Sequence, residues 1–239
     1  MRDHVFTRTR KLIGQDALEQ LQCSSILVIG IGGVGSFAAE ALARSGIGSI
    51  TLVDPEVIEA SNINRQIHAL LSTVGEYKVE VMAERIKDIH PDILISAKPI
   101  AFNENTACDI LQPGFNYVVD CIDTIPEKIH LIKNCLKEKI PIISSMGAAN
   151  RIQPLQLKTA DISQTKNCPM AKKIRKELRK NHIYQGLEVV YSEEPPVKNI
   201  EMQSSALGSI SFLPSVVGMI MASVVVNNLI KKAGFQNIP

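Results

Sequence analysis

The 239-residue sequence predicts an α/β fold: a doubly wound, Rossmann-like, mostly parallel sheet that antiparallel strands extend and a C-terminal helix completes. Apolar runs of strand length alternate with segments of helical periodicity as far as residue 147. Near-continuous apolar strands in such an alternation are typical of a parallel sheet with helices on both faces. Beyond residue 147, "QPLQLKTAD" (153–161) alternates with the period of two expected for an antiparallel strand.

Each predicted element has its own signal. Apolar runs predict strands at 25–30, 49–54, 92–97, 116–121, 141–146, 153–161, 187–192 and 207–213. In "YKVEVMAERIKDIHP" (77–91), the apolar residues fall on one helical face and Pro91 ends the helix. The other predicted helices are 33–45, 127–138, 169–180 and the segment from Pro214, which has proline in its first turn.

The composition is ordinary for a soluble globular protein, with 45% hydrophobic residues, 21% charged residues and a net charge of +2. A nucleic-acid or membrane surface would therefore have to be a local patch. The five cysteines never form C-x-x-C, which disfavours a disulfide framework and a zinc site. We expect a reduced, cytoplasmic protein without zinc, because "MRDHVFTRTRKLIG" also lacks the apolar core of a secretory signal.

One long segment, residues 202–230, contains no charged side chain and could span a bilayer by length. Serines, asparagines, glycines and Pro214 dilute it and divide it into a strand and a helix. We interpret it as a buried strand followed by a core-packed helix. Peripheral membrane association of this segment is the alternative.

A glycine-rich turn, "GIGGVG" (30–35), follows the first strand and opens the first core helix. Gly30, Gly32 and Gly35 form G-x-G-x-x-G, which allows a tight turn, a close approach of phosphate, and close packing of helix on strand. Asp54 ends the next strand, where an acid can bind ribose hydroxyls. With the amides of the helix N-terminus, these features predict a nucleotide site.

The residues after Asp54 favour ATP over a nicotinamide cofactor. Gly33 makes the loop richer in glycine than a dinucleotide site needs, and "PEVIEASNINRQ" (55–66) adds a cation and several amides. An arginine here offers bidentate contacts to phosphate oxygens. The residues predicted to surround the phosphates are Asn62, Asn64, Arg65, Gln66 and Lys78.

The stretch "VVDCID" (118–123) supplies the other side of the predicted site. Asp120 and Asp123 follow a parallel strand at its carboxyl end, where ligands bind in such sheets. A carboxylate here can hold Mg²⁺ against phosphates and so help to stabilise charge on the α-phosphate during attack by a carboxylate. Spacing alone does not decide between the two acids, because either can instead cap the following helix.

A strongly basic helix is predicted at "AKKIRKELRK" (171–180), where one acid accompanies six cations and the apolar residues form a single stripe. Such a face can make salt-dependent contacts to the phosphates of a nucleic acid. The cations are Lys172, Lys173, Arg175, Lys176, Arg179 and Lys180.

Together these motifs resemble the ubiquitin-activating-enzyme-like superfamily of adenylyltransferases, which includes the molybdopterin-synthase and thiamine-biosynthesis adenylyltransferases. "GIGGVGS", "LVDPEVIEASNINRQ", the lysine of "GEYKVE" and "VVDCID" are similar to its ATP-binding elements. "FTRTRKLIGQDALEQL", "AEALARSGIGSITLVD", "NINRQIHAL" and "MGAANRIQPLQLKTADISQT" are similar to its tRNA threonylcarbamoyladenosine dehydratase branch. The resemblance covers about residues 6–232.

The resemblance implies a homodimer that uses ATP and Mg²⁺ to activate the carboxylate of threonylcarbamoyladenosine at position 37 of tRNA. Water is then formally lost and the side chain closes to a ring. It further implies an Arg8 that reaches into the partner subunit's site, and a tRNA contact for the basic helix. The implied ATP-site residues are Gly30, Gly32, Gly33 and Gly35 for the loop, Asp54 for ribose, Arg65, Gln66 and Lys78 for the phosphates, and Asp123 for Mg²⁺.

The sequence departs from the family pattern in three places. Glu56, in the predicted cofactor-binding set, stands where an aspartate is usual, and Gln153 replaces the aspartate before Pro154. "NCPM" replaces an aspartate-proline-leucine before the basic helix. Ser204 and Ser205 occupy a segment where some relatives carry a cysteine, which disfavours a sulfur-transfer partner.

We expect one ubiquitin-activating-enzyme-like unit over residues 1–239, with a helical arm (1–24), a nucleotide-binding core (25–147) and a substrate-side extension (148–239). Two other functions stay open. The first is an adenylyltransferase that activates the C-terminal glycine of a small ubiquitin-like carrier protein. The second is an NAD-dependent oxidoreductase, although His68 and His90 offer no setting for hydride transfer. Among the cysteines, Cys121 in a core strand is expected to be an inert buried thiol.

Overall fold

The computed structural model describes residues 5–197 and 207–235. Its strands form one seven-stranded sheet in the order β3-β2-β1-β4-β5-β7-β6. They are β1 (Ser25–Ile29), β2 (Ser49–Val53), β3 (Leu94–Lys98), β4 (Tyr117–Asp120), β5 (Ile142–Ser145), β6 (Leu157–Asp161) and β7 (Glu188–Ser192). Every neighbouring pair is parallel except β6 with β7. The predicted α/β fold, a mostly parallel sheet with an antiparallel extension, is confirmed.

Helices cover both faces of this sheet. They are α1 (Thr7–Ile13), α2 (Gln15–Gln22), α3 (Gly35–Ser45), α4 (Lys78–Ile89), α5 (Ala107–Ile110), α6 (Ile125–Lys137), α7 (Pro169–Lys180) and α8 (Phe212–Lys232). Side chains of β1 alternate between the two cores, as the strand pleat requires. Ile26 and Val28 pack with α2, α3, α4 and α8, whereas Leu27 and Ile29 pack with α5, α6 and α7.

The predicted strand at 207–213 is wrong. Residues 207–210 are irregular, and α8 begins at Phe212. Two backbone groups of Gly208 are held by Asn150, through its side-chain oxygen at 2.7 Å and its amide at 2.8 Å, rather than by a strand. Pro214 fits inside the helix because an amide in the first turn has no intrahelical partner to lose.

Helix α8 crosses α3 at very short range. A Cβ added to Gly218 would lie 2.3 Å from the Val34 carbonyl oxygen, so only glycine permits this approach. Of the described helices, α8 alone is long and apolar enough to cross a membrane, and half of its most apolar window is buried inside the protein. The expected core packing of this helix is therefore observed on one side of it.

Candidate active site

The glycine loop connects β1 to α3 at the carboxyl edge of the parallel strands. Gly30 has φ +88°, and an added Cβ would lie 2.7 Å from the Cys121 carbonyl oxygen. A Cβ on Gly35 would lie 1.8 Å from the Gly30 carbonyl oxygen. At Gly32 the nearest atom would be Gln66 Nε2 at 3.9 Å, so this side of the loop is open. The loop is therefore tightly packed at Gly30 and Gly35 and open at Gly32, where a phosphate could approach.

Asp54 is buried at the end of β2 and holds the glycine loop directly. Its Oδ2 accepts a hydrogen bond from the Ile31 amide at 2.6 Å, and its Oδ1 accepts one from the Glu56 amide at 2.9 Å. Burial raises the pKa of the Asp54 carboxyl, against these bonds and the nearby Lys78 cation. A carboxylate keeps further lone pairs beyond these two bonds, so a ribose contact remains open to it.

Two cations lie beside the loop. Lys78 is buried at the start of α4, and its ammonium pairs with the exposed carboxylate of Glu56. Arg65 is half-buried, and one of its terminal nitrogens donates to the Ser61 carbonyl at 2.8 Å and to Asn64 Oδ1 at 2.9 Å. The Arg65 side chain contacts the loop, since its Cγ would lie 3.2 Å from a Cβ on Gly33. Arg65 therefore lies against the loop at Gly33, and Lys78 is near enough to Asp54 to lower the pKa of that carboxyl.

The two predicted asparagines support this segment, Asn62 from a buried position and Asn64 from an exposed one. Asn62 is buried, and its Oδ1 accepts from the Glu59 amide at 3.1 Å, which caps a short 3₁₀ turn. Asn64 donates to the Ser209 carbonyl at 3.1 Å and so joins the segment to the chain before α8. Their amides order the segment that carries Arg65.

Three buried polar side chains near the loop lack hydrogen-bond partners among the described residues. They are Ser36 at its hydroxyl, Gln66 at Oε1, and His68 at both ring nitrogens. Burial and the Lys78 and Arg85 cations lower the pKa of His68 to about 4, so the imidazole is neutral at physiological pH. Buried polar groups are normally paired, so each of these unpaired atoms is one that a polar ligand or water can satisfy.

Asp120 and Asp123 have different environments. The Asp120 carboxylate is fully buried, with Lys128 Nζ at 2.7 Å and Ser144 Oγ at 2.5 Å on the same oxygen. Its other oxygen accepts from the Ile122 amide at 3.1 Å and shapes the turn after β4. Asp123 is exposed, and within the described ranges it forms no hydrogen bond or ion pair. Of these two acids, Asp123 is therefore the exposed one without a protein partner among the described residues.

The basic helix α7 presents most of its cations to solvent. Arg175 is the exception, because its guanidinium donates to the carbonyls of Thr165 at 2.9 Å and Ile162 at 3.3 Å. It therefore anchors α7 to the preceding turn. The other five predicted cations are exposed, and they line an open groove of about 900 Å³. Lys180 also pairs with Glu177 at 2.8 Å.

Comparison with known proteins assigns the chain to a family. Residues 6–238 match the ThiF family. The chain belongs to the ThiF family. It is 46% identical to the tRNA threonylcarbamoyladenosine dehydratase of Bacillus subtilis over 249 residues, covering 98% of each chain. The Escherichia coli enzyme of that name is 42% identical over 174 residues, which is 73% of this chain and 65% of that one.

Solved structures agree with the assignment to this family. The crystal structure of Escherichia coli tRNA N6-threonylcarbamoyladenosine dehydratase with AMP aligns at a TM-score of 0.91 and 36% identity, covering 98% of this chain and 97% of that one. The structure of that enzyme with ATP aligns at the same TM-score. The resemblance predicted from the sequence motifs is confirmed.

The remaining predicted residues lie away from the loop or outside the described ranges. Arg8 is exposed on α1, and the ring of Phe6 before it packs edge-on against His90 with centroids 5.0 Å apart. His90 precedes β3, so α1 starts at the amino ends of the strands, opposite the ThiF-type glycine loop. Arg8 therefore does not reach the loop of its own chain. Ser204 and Ser205 lie outside the described residues.

Sequence reasoning assigned no role in the site to Ser36 or His68, two buried polar side chains without partners among the described residues. Ser36 follows the last glycine of the loop, and His68 follows Gln66 by two residues. Lys128 was missed as well, since a lysine on an amphipathic helix is normally expected to face solvent. Cys121 is half-buried and directly follows β4 instead of lying in a strand as expected. Desolvation raises the pKa of its thiol well above the usual range and keeps it protonated, as expected for an inert thiol.

Proposed function

We propose that the chain is an ATP-dependent tRNA threonylcarbamoyladenosine dehydratase that cyclises this nucleoside at position 37 of tRNA. The observation that carries the proposal is the match along nearly the whole chain to enzymes of that name, one of them solved with ATP. The substrate carboxylate attacks the α-phosphate of ATP, which forms an acyl-adenylate and releases pyrophosphate. A nucleophilic atom of the carbamoyl group then bonds to the activated acyl carbon and loses its proton, which closes the ring. The bond from that carbon to AMP breaks, and one carboxylate oxygen leaves with AMP.

In this proposal the glycine loop and the N-terminus of α3 bind the phosphates through backbone amides. Lys78 leaves its exposed partner Glu56 to contact phosphate oxygens, and Arg65 is held beside the loop by Ser61 and Asn64. These two cations stabilise the charge that builds on the α-phosphate during attack. The residues proposed to bind ATP are Gly30, Gly32, Gly33, Gly35, Asp54, Glu56, Asn62, Asn64, Arg65, Gln66 and Lys78.

Asp123 is proposed to hold Mg²⁺. The described residues contain no group of three metal-ligating side chains, but Mg²⁺ is commonly held by one or two carboxylates together with substrate phosphates. The unpartnered carboxylate of Asp123 fits that donor set, whereas the Asp120 carboxylate is occupied by Lys128 and Ser144. When bound, Mg²⁺ neutralises charge on the phosphates.

The tRNA is proposed to bind across α7 through Lys172, Lys173, Lys176, Arg179 and Lys180, with Arg175 anchoring the helix. We further propose a cytoplasmic homodimer in which Arg8 acts in the partner's site, because α1 starts at the edge opposite the loop of its own chain. An exposed apolar patch formed by Leu70, Leu71 and Val74 offers surface for a second copy. Residues 1–239 are proposed to form one unit.

The test is mass spectrometry of nucleosides released by mild hydrolysis after threonylcarbamoylated tRNA is incubated with the protein. The modified adenosine is expected to lose the mass of one water only when ATP is present, with AMP and pyrophosphate as coproducts. Asp123→Asn should abolish this loss while the melting temperature is unchanged. An unchanged nucleoside with ATP still bound would instead favour activation of a carrier protein's C-terminal glycine, and absence of ATP binding would refute both.

A further inference from the structure

A second basic groove lies outside the surface assigned to α7. It is a cleft of about 490 Å³ between the C-terminal half of α6 and the chain that follows α7. Lys133 and Lys137 line it from α6, and Asn181 lines it from the end of α7. Because the two lysines are four residues apart on one helix, their side chains lie on the same face. The cleft therefore carries two neighbouring positive charges.

The cleft and the basic groove of α7 adjoin at the end of that helix. Lys180 lines the α7 groove and the next residue, Asn181, lines the α6 cleft, so the two meet at the end of α7. Both helices pack on the same core. We propose that the α6–α7 cleft binds the phosphodiester backbone of the RNA substrate, extending its contact surface beyond α7. This inference rests on the proposed function.

The acids near the cleft do not cancel its charge. The Glu138 carboxylate lies 3.7 Å from the Lys137 ammonium, and these side chains are 61% and 79% exposed, respectively. The Glu104 carboxylate lies 4.0 Å from the His130 ring. Such exposed pairs contribute little free energy, so a phosphate can replace the glutamate as the partner of Lys137. Lys133 has no ion-pair partner among the residues that the structure describes.

The position of the cleft suits a substrate that enters at the nucleotide site. Helix α6 begins two residues after Asp123 and runs for 13 residues, or about 20 Å, to Lys137. An RNA hairpin whose loop nucleotide lies near Asp123 can therefore lay its stem along α6. Phosphate contacts at such a distance fix the orientation of the RNA without reading its sequence.

The experiment compares tRNA binding by the wild-type chain, by Lys133→Gln/Lys137→Gln, and by a control, Lys231→Gln/Lys232→Gln. The control removes the same charge from the exposed end of α8, which packs on the opposite core. Fluorescence anisotropy with threonylcarbamoylated tRNA is measured from 50 to 300 mM KCl, and ATP binding and thermal unfolding are measured in parallel. The cleft variant is expected to bind tRNA about tenfold more weakly, with a salt slope shallower by about 1.5.

In the supporting result, the cleft variant loses tRNA affinity while its ATP affinity and melting temperature match those of the control. Equal affinity and equal salt slope for the cleft variant and the control, beside a wild type that binds and dehydrates tRNA, would overturn the cleft and leave the proposed function intact. A wild type that binds ATP but no tRNA would instead refute the proposed function, and the cleft with it.

Discussion

The buried imidazole of His68 makes the stability of this protein sensitive to acid. Its pKa falls from 6.5 to about 4 on folding, because burial and two nearby cations disfavour the charged form. Between these two pH values the unfolded chain binds a proton at this site and the folded chain does not. The contribution of His68 to the free energy of unfolding is therefore fully present above pH 6.5 and is lost as the pH drops towards 4. The loss is about 2 kcal/mol at pH 5 and about 3 kcal/mol in total.

The substitution His68→Leu isolates this effect. It removes the titrating group and two buried nitrogens that have no partner among the described residues, so the variant is expected to be at least as stable as wild type at pH 7. Urea unfolding followed by circular dichroism at pH 7, 6 and 5 measures both proteins. The difference should shift by about 2 kcal/mol in favour of the variant between pH 7 and 5.

Comparing the two proteins cancels the acid sensitivity of other groups, including His90, whose pKa burial also lowers. A stability difference that stays constant from pH 7 to pH 5 would refute the reasoning, because His68 would then titrate alike in the folded and unfolded chains. A variant much less stable than wild type at pH 7 would show that the imidazole is paired in solution.

Three further predictions concern residues near the carboxyl ends of the parallel strands. Lys128→Met should cost about 3–5 kcal/mol in thermal unfolding, because it leaves the Asp120 carboxylate buried without its cation, and adding Asp120→Asn should recover much of that loss. Gly35→Ala should weaken ATP binding at least about tenfold by calorimetry, because its Cβ would overlap the Gly30 carbonyl and displace the loop. Cys121→Ala should keep its turnover rate within about twofold of wild type, because the high pKa of this thiol excludes it as a nucleophile.

The elements that are best predicted from the sequence are those with a strong local signal. Pro169 marks the first residue of α7, as predicted. The bounds predicted for β1 and β2 from their apolar runs agree with the structure to within one residue. The prediction of a strand at 207–213 is wrong because a short apolar run can equally begin a helix. The contact that fixes this segment joins Gly208 to Asn150, which is far from it in the sequence.

The positions of the candidate site residues were predictable where these residues follow a strand directly. Asp54 and the glycines have fixed places in the strand-turn-helix unit, which the sequence shows as a local pattern. That Asp120 is occupied and Asp123 is not could not be read locally, since it depends on Lys128 in the following helix and on Ser144 in the next strand. The lowered pKa of His68 likewise depends first on burial and then on the Lys78 and Arg85 cations, which only the fold brings to this imidazole.

Helix α8 connects the fold to the proposed chemistry. Its apolar sequence suits a membrane span, but Gly218 meets the start of α3, and Pro214 would lie 3.3 Å from a Cβ on Gly33. A bulky residue at either glycine would therefore push α8 away from the loop that is proposed to bind phosphate. Because packed interiors deform little, the position of α8 and the shape of the loop are coupled. The apolar helix that resembles a membrane span therefore packs against the glycine loop and helps to fix its shape.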